Sequence, residues 1–166
     1  MDKLWSPWRS QYIESFQNKK ADDKGCVFCG SQNDDLLDDQ SQVVFRGERT
    51  FTMLNLYPYN NGHLMVIPFR HISDIIELSD EEFAEVSSTI KRLIAALREI
   101  SNPEGFNIGA NLGKVAGAGI ADHIHFHIVP RWNGDTNFMP VIGSVKVLSQ
   151  DLLKTKIELQ KALKVI

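Results

Sequence analysis

The sequence predicts an α+β domain built on an antiparallel sheet, and three observations carry that reading. Strand-like stretches come first in the body of the chain, then one long helical pattern, then more strand, then a last helix. That order lacks the regular strand–helix alternation that a parallel sheet requires. Histidines at 123, 125 and 127 alternate with Ile124, Phe126 and Ile128, a period of two that only a strand gives. The chain of 166 residues fits a single domain of 1–166 and is long enough to bury a core without disulfides. Within it, residues 1–40 read as an N-terminal segment, 41–140 as the core and 141–166 as a C-terminal strand and helix.

The opening segment carries Trp5, Trp8 and Tyr12, which are expected to pack on the body of the protein. Cys26 and Cys29 are the two cysteines of the chain. At this spacing they read as half a metal site or a redox pair. A redox pair would follow a strand and open a helix. Here Lys24 and Gly25 precede it and the polar run from Gly30 to Asp35 follows, which predicts a turn and favours zinc over redox. Two small buried thiols are the plain alternative. Residues 22–41 hold six aspartates and read as loop.

Residues 42–46 and 50–55 then read as strands joined by a turn at Gly47 and Glu48. Pro58, Asn60, Asn61 and Gly62 form a loop, and residues 63–68 are a third strand closed by Pro68. Ser79 with Glu82 is a capping box. Phe83, Val86, Ile90, Leu93, Ile94, Leu97 and Ile100 follow at helical spacing until Asn102 and Pro103 stop the helix. Residues 106–111 are a short strand, followed by a loop with Gly113, Gly117 and Gly119. Residues 122–130 are the histidine strand. Ser149 is expected to cap a last helix running through Leu153, Ile157 and Leu163.

Composition narrows the function. Hydrophobic residues make up 43% and charged residues 23% of the chain, with a net charge of −3. A nucleic-acid binder relying on bulk positive charge is excluded. No apolar run approaches a membrane span of roughly 20 residues, and the first residues lack the apolar core of a signal peptide. The chain reads as cytoplasmic.

The alternating pattern puts three imidazoles on one strand face and three apolar groups on the other, and three histidines on one face are costly to bury unsatisfied. Two chemistries suit them. One is metal binding, since imidazole is a common metal ligand. The other is nucleophilic catalysis, in which a neutral imidazole attacks phosphorus while its second nitrogen is held as a donor. The glycine loop, whose backbone N–H groups can approach a phosphate, favours the second.

At His123-Ile124-His125-Phe126-His127-Ile128-Val129 the sequence resembles the histidine-triad superfamily. Asn55 and the stretch from Asn61 to Pro68 resemble its second motif, and Asn111 begins the loop that leads to the triad. Residues 4–9 and 130–140 resemble the branch that includes bacterial diadenosine polyphosphate phosphorylases. The resemblance implies a five-stranded antiparallel sheet with two main helices, usually in a homodimer. It also implies transfer of a nucleoside monophosphate through a nucleotidyl-histidine. His125 would attack the α-phosphorus, His127 would contact the phosphate and the leaving oxygen, and His63 would support the triad. Asn55 would bind ribose, while Asn111 and the amides at Gly117 and Gly119 would bind phosphate. Leu54, Leu56 and Phe45 are candidates for a base pocket.

The resemblance also implies one structural zinc per chain, held by Cys26, Cys29, His71 and His123. Where many relatives have a Gln-Ser or Gln-Thr pair before the triad, this chain has Gly119-Ile120. Without that hydroxyl, polyphosphates with good leaving groups are expected over amides. Arg131 is a candidate for distal phosphates, with a surface ion pair as the alternative. Asp122 either orients an imidazole or simply starts the strand. The other functional readings are a nucleoside phosphoramidase, a metal hydrolase using all three histidines, and a non-catalytic nucleotide-binding protein.

Overall fold

The computed structural model describes residues 25–135 and 150–164. Trp5, Trp8, Tyr12, Ser149 and residues 136–149 lie outside them. Five strands form one antiparallel sheet: β1 (Val43–Arg46), β2 (Thr50–Leu54), β3 (Leu64–Pro68), β4 (Gly105–Ala110) and β5 (Phe126–Arg131), in the order β1-β2-β3-β5-β4. A short helix, α1 (Val27–Ser31), precedes the sheet; α2 (Asp80–Ser101) joins β3 to β4; and α3 (Leu152–Ala162) follows β5. The two long helices and five antiparallel strands are those expected.

Alternation along the strands divides the apolar residues between two faces. Val44, Leu54, Leu64, Val66, Phe126 and Ile128 pack with Val86, Leu93 and Leu97 of α2 and with Leu159 near the end of α3. On the other face, Val43, Phe51, Met53, Met65 and Ile67 pack with Phe28 of α1 and with Ile120. β3 is buried at every position because it lies at the centre of the sheet, with neighbours on both sides and a cluster on each face.

The helix α2 starts as its sequence requires. The Ser79 side chain accepts from the Glu82 N–H, the Glu82 carboxylate accepts from the Ser79 N–H, and Asn102 ends the helix in the left-handed conformation with φ 44°. Gly62 has φ +72°, and a Cβ there would lie 2.9 Å from Leu97 Cδ2. Glycine is needed at this position on both conformational and steric grounds.

Three local readings change, and one element is added. Cys26 and Cys29 do not flank a simple turn. Hydrogen bonds from Gly30 N–H to the Cys26 carbonyl and from Gln32 N–H to the Phe28 carbonyl wind the segment into α1. The histidine strand begins at Phe126 rather than Asp122, because Ile124 N–H instead bonds the Ile72 carbonyl at 2.7 Å, beyond the end of β3. The last helix is capped by Asp151, whose side chain accepts from Leu153 and Lys154 N–H; Ser149 is two residues too early. A 3₁₀ turn, Ile75–Glu77, carries its own capping box from Asp74 and Glu77.

Candidate functional site

All three triad histidines lie on the sheet face opposite α2. The flanking Ile124, Phe126 and Ile128 are buried on the helix side. Register places His127 of β5 opposite Met65 of β3 and Gly109 of β4. The His125 and His127 rings are 4.8 Å apart between centroids, at an interplanar angle of 74°.

Hydrogen bonding fixes the tautomers. His125 Nδ1 is 2.9 Å from the His123 carbonyl. A carbonyl only accepts, so Nδ1 carries the proton and the Nε2 lone pair is available. Burial holds the His125 pKa below its ordinary value, while the bond to the His123 carbonyl opposes that shift. The ring is therefore neutral at neutral pH.

The second pair is set by a backbone donor. Tyr59 N–H points at His63 Nδ1 at 3.1 Å, so that nitrogen must accept. His63 Nε2 then carries the proton and donates to His127 Nδ1 at 2.9 Å. His127 must carry its own proton on Nε2. His63 is fully buried, and burial, with the two neighbouring imidazoles behind it, lowers its pKa to about 3. It stays neutral throughout the physiological range. His125 thus offers a lone pair beside a ring that offers a proton.

His123 faces away from this pair. Its Nε2–H donates to the Pro68 carbonyl at 2.9 Å, which turns Nδ1 toward the cysteines. Nδ1 lies 3.3 Å from Cys26 Sγ and 3.6 Å from Cys29 Sγ, and His71 Nδ1 lies 3.3 Å from Cys29 Sγ. All four ligand atoms fall within 4.8 Å of one another. A tetrahedron with arms of about 2.3 Å to sulfur and 2.0–2.1 Å to nitrogen has S···N edges of about 3.6 Å. Donor set and spacing both suit a closed tetrahedral metal site, and the Pro68 carbonyl supplies the outer bond that orients such a ligand. His71, a surface histidine by sequence context alone, remains exposed yet joins this group.

The remaining candidates are dispersed. Asn111 Nδ2 reaches the Gly117 carbonyl at 3.4 Å across the glycine loop. Gly113 and Gly117 have positive φ of 77° and 92° around a 3₁₀ turn, Lys114–Ala116, and Gly119 is exposed. The Asn55 carboxamide accepts from Tyr57 N–H at 2.9 Å. Leu54 and Phe45 pack on the α2 face, away from the histidines, and belong to the core. Leu56 is exposed. Arg131 takes the ion-pair alternative: it binds Asp135 at 2.6 Å and donates to Asn107 Oδ1 at 2.7 Å. Asp122 is exposed at the approach to the strand. A cleft of about 390 Å³ opens beside His127, lined by Tyr59, Asn107, Asn111, Arg131 and Asp135.

Sequence reasoning missed Phe28. Its buried ring contacts both His123 and His125, with centroids 5.5 and 5.0 Å away. Its place between the two cysteines was the available signal.

Comparison with known proteins agrees with this geometry. The chain is 40% identical over 158 residues to the AP-4-A phosphorylase of Mycobacterium tuberculosis, covering 94% of this chain and 81% of that protein. It is 33% identical over 110 residues to the adenosine 5'-monophosphoramidase of Schizosaccharomyces pombe, covering 65% of this chain and 75% of that one. Among solved structures, a Zn-bound histidine triad family protein from Mycobacterium smegmatis superposes with a TM-score of 0.67 at 29% identity, covering 85% of this chain and 94% of that chain. The HIT domain model matches residues 37–134, the span that carries the whole sheet and all the alternating histidines, and the chain belongs to the HIT domain family.

Proposed function

We propose that this protein is a nucleotidyl-transferring enzyme that cleaves dinucleoside polyphosphates of the diadenosine tetraphosphate type, passing the nucleotidyl group through His125 to phosphate or water. The observation that carries this is the pair of complementary tautomers. His125 Nε2 holds a lone pair while its Nδ1–H is tied to a carbonyl, and His127 carries its proton on the opposite nitrogen. His125 Nε2 attacks the α-phosphorus, and the bond to the leaving nucleoside polyphosphate breaks. His127 Nε2–H donates to the phosphate or bridging oxygen. Water or phosphate then attacks the nucleotidyl-histidine and frees the ring. Asn55 serves the ribose, and Asn111 with the amides of Gly117 and Gly119 serves the phosphate.

The loop supports polyphosphates over amides. Ile120 packs with the apolar cluster around Phe28, so this position offers no hydroxyl to a poor leaving group. The similarity to the mycobacterial AP-4-A phosphorylase supports phosphate as acceptor. The test is to incubate purified protein with diadenosine tetraphosphate, with and without phosphate, and with adenosine phosphoramidate. The expected products are a nucleoside diphosphate with phosphate and a monophosphate without it. Faster turnover of the phosphoramidate would overturn the substrate reading.

Cys26, Cys29, His71 and His123 would hold one zinc. Bound there, it would supply structural cross-linking rather than reactivity. It would tie α1 to the approach of the histidine strand and fix the His123 carbonyl that accepts from His125 Nδ1–H. The expected result is one zinc per chain, lost in the Cys26→Ser, Cys29→Ser double variant. Metal analysis of fresh protein finding none would count against it.

Reduced thiols at such a site fit the cytoplasm, and among the described residues no helix is long and apolar enough to cross a membrane. A homodimer would pair two copies at β4, an edge strand with Ile108 50% exposed; the molar mass in solution tests it.

A further inference from the structure

Beside the histidines lies a polar network that the reaction does not use. Asp135 Oδ2 accepts from Arg131 Nε at 2.6 Å, Asn60 Nδ2 at 2.8 Å and Trp132 N–H at 3.1 Å. Its Oδ1 accepts from Arg131 Nη2 at 2.8 Å. The carboxylate is held well below its usual range, to about 2, chiefly by Arg131. Asn60 is 8% exposed, and its side chain spans two partners, since Nδ2 also donates to the Pro130 carbonyl at 3.1 Å. Its own carbonyl accepts from His63 N–H at 3.2 Å. Asn60 is thus pinned to the end of β5, to Asp135 and to the start of β3. The residue before it is Tyr59, whose N–H dictates the tautomer of His63.

We infer that Asn60 and Asp135 are positioning residues that fix the tautomers of His63 and His127, and with them the proton that His127 presents. The chain of cause runs through directional bonds. Asp135 holds the Asn60 amide, Asn60 holds the loop, and the loop aims Tyr59 N–H at His63 Nδ1. That leaves the His63 proton on Nε2, so His127 Nδ1 must accept and His127 Nε2 must carry hydrogen. Without the brace, His63 can take the opposite tautomer. Its Nε2 would then demand a donor from His127 Nδ1, and His127 Nε2 would face the reacting phosphate with a lone pair in place of a proton. A donor would become a repulsive acceptor while no residue at the reacting atoms had changed.

Asn60 and Asp135 act through other groups and touch no reacting atom, so the test reads the tautomers themselves. The full chain, purified with its metal, is labelled with ¹⁵N in the histidine rings, and the spectra are assigned with single His-to-Gln variants. In the parent protein His63 and His127 should each show a protonated Nε2 and a bare Nδ1, and His125 the reverse. In Asp135→Asn and Asn60→Ser the two nitrogens of His63 and of His127 should become averaged or exchange roles, while His125 is unmoved. A protonated His63 Nδ1 in the parent, or unchanged rings in both variants, overturns the inference. The parent spectrum decides the tautomers even if one variant fails to fold.

A second measurement rests on the proposed reaction and separates its failure from that of the brace. Rates are compared for the 4-nitrophenyl and phenyl esters of AMP, the second of which leaves only with acid help. Loss of a positioned proton donor should slow the phenyl ester on the order of 10²-fold more than the nitrophenyl ester, with AMP affinity held. Altered tautomers with no change in leaving-group dependence would support the brace and overturn the donor role of His127.

Discussion

At the scale of single residues, the site is a problem of proton placement. Four imidazoles crowd together without a carboxylate among the bonds that orient them, and each ring's proton is placed by a backbone group or by another ring. Burial keeps His63 and His125 neutral, as the proposed nucleophile and relay would require. The predicted consequence is sharp for His125. Replacing it with Asn keeps a polar group of similar size but removes the lone pair that would attack in the proposed reaction. Turnover should fall by several orders of magnitude while AMP affinity, read by calorimetry, stays within a few-fold. A His125→Asn protein near the parent rate would remove the covalent step from the mechanism. The placement of the histidines on one face was legible in the sequence because the period-two pattern fixes it. The tautomers were not, since they depend on Tyr59 N–H and the His123 carbonyl, groups present in every residue.

At the scale of elements, local rules decide where helices begin and what they bind. The capping box of α2 is readable in Ser79 and Glu82, but its second use is not. The Glu82 carboxylate also receives Arg70, with Nε and Nη2 both at 2.7 Å, across a gap of twelve residues. Arg70 first, and then the Ser79 N–H, lower the Glu82 pKa from 4.5 to about 2. A carboxylate with a depressed folded pKa stabilises the protein above the unfolded value and loses that contribution as pH falls through the folded value. Glu82 should therefore support α2 at pH 5 and above and cease to do so between about pH 4.5 and 2. Glu82→Gln should lower the melting temperature at neutral pH, consistent with loss of a helix cap of about 1 kcal/mol, and the gap to the parent should close on acidification. A gap of constant size from pH 6 to pH 3 would show that the cap works without charge. The misplaced cap of α3 teaches the same lesson in reverse: Ser149 and Asp151 are both good caps by residue type, and only the turn that Asp151 closes with Leu153 and Lys154 separates them.

At the scale of the whole molecule, the sheet divides labour. One face carries the α2 and α3 core and the other carries the histidines, so the cysteine segment must be held on the second face by long-range bonds. It is. Arg46 of β1 donates to the Gln32 carbonyl at 2.6 Å and also to that of Asp34. From α3, Gln160 Nε2 reaches the Leu36 carbonyl at 2.8 Å, and Lys156 Nζ reaches those of Asp38 and Ser41 at 2.7 and 2.9 Å. The aspartate-rich stretch read from sequence as loop is thus fixed mainly through its carbonyls, which is why its side chains gave no hint of the partners. Lys156 is 3% exposed, and burial lowers its pKa against the pull of the nearby aspartates. Lys156→Met keeps the apolar stem but leaves two carbonyls without their donor, at about 1–3 kcal/mol for each group that stays dry. At roughly 2–4 °C per kcal/mol for a chain of this size, the melting temperature should fall by several degrees. Because the clamped loop runs directly from Cys29 to β1, the variant should also give up the proposed zinc to a chelator more readily than the parent, while the same fall in stability from a core change such as Leu93→Ala should leave its release less affected. Equal zinc release from the two variants would show that the clamp serves global stability alone and does not preorganise the cysteines.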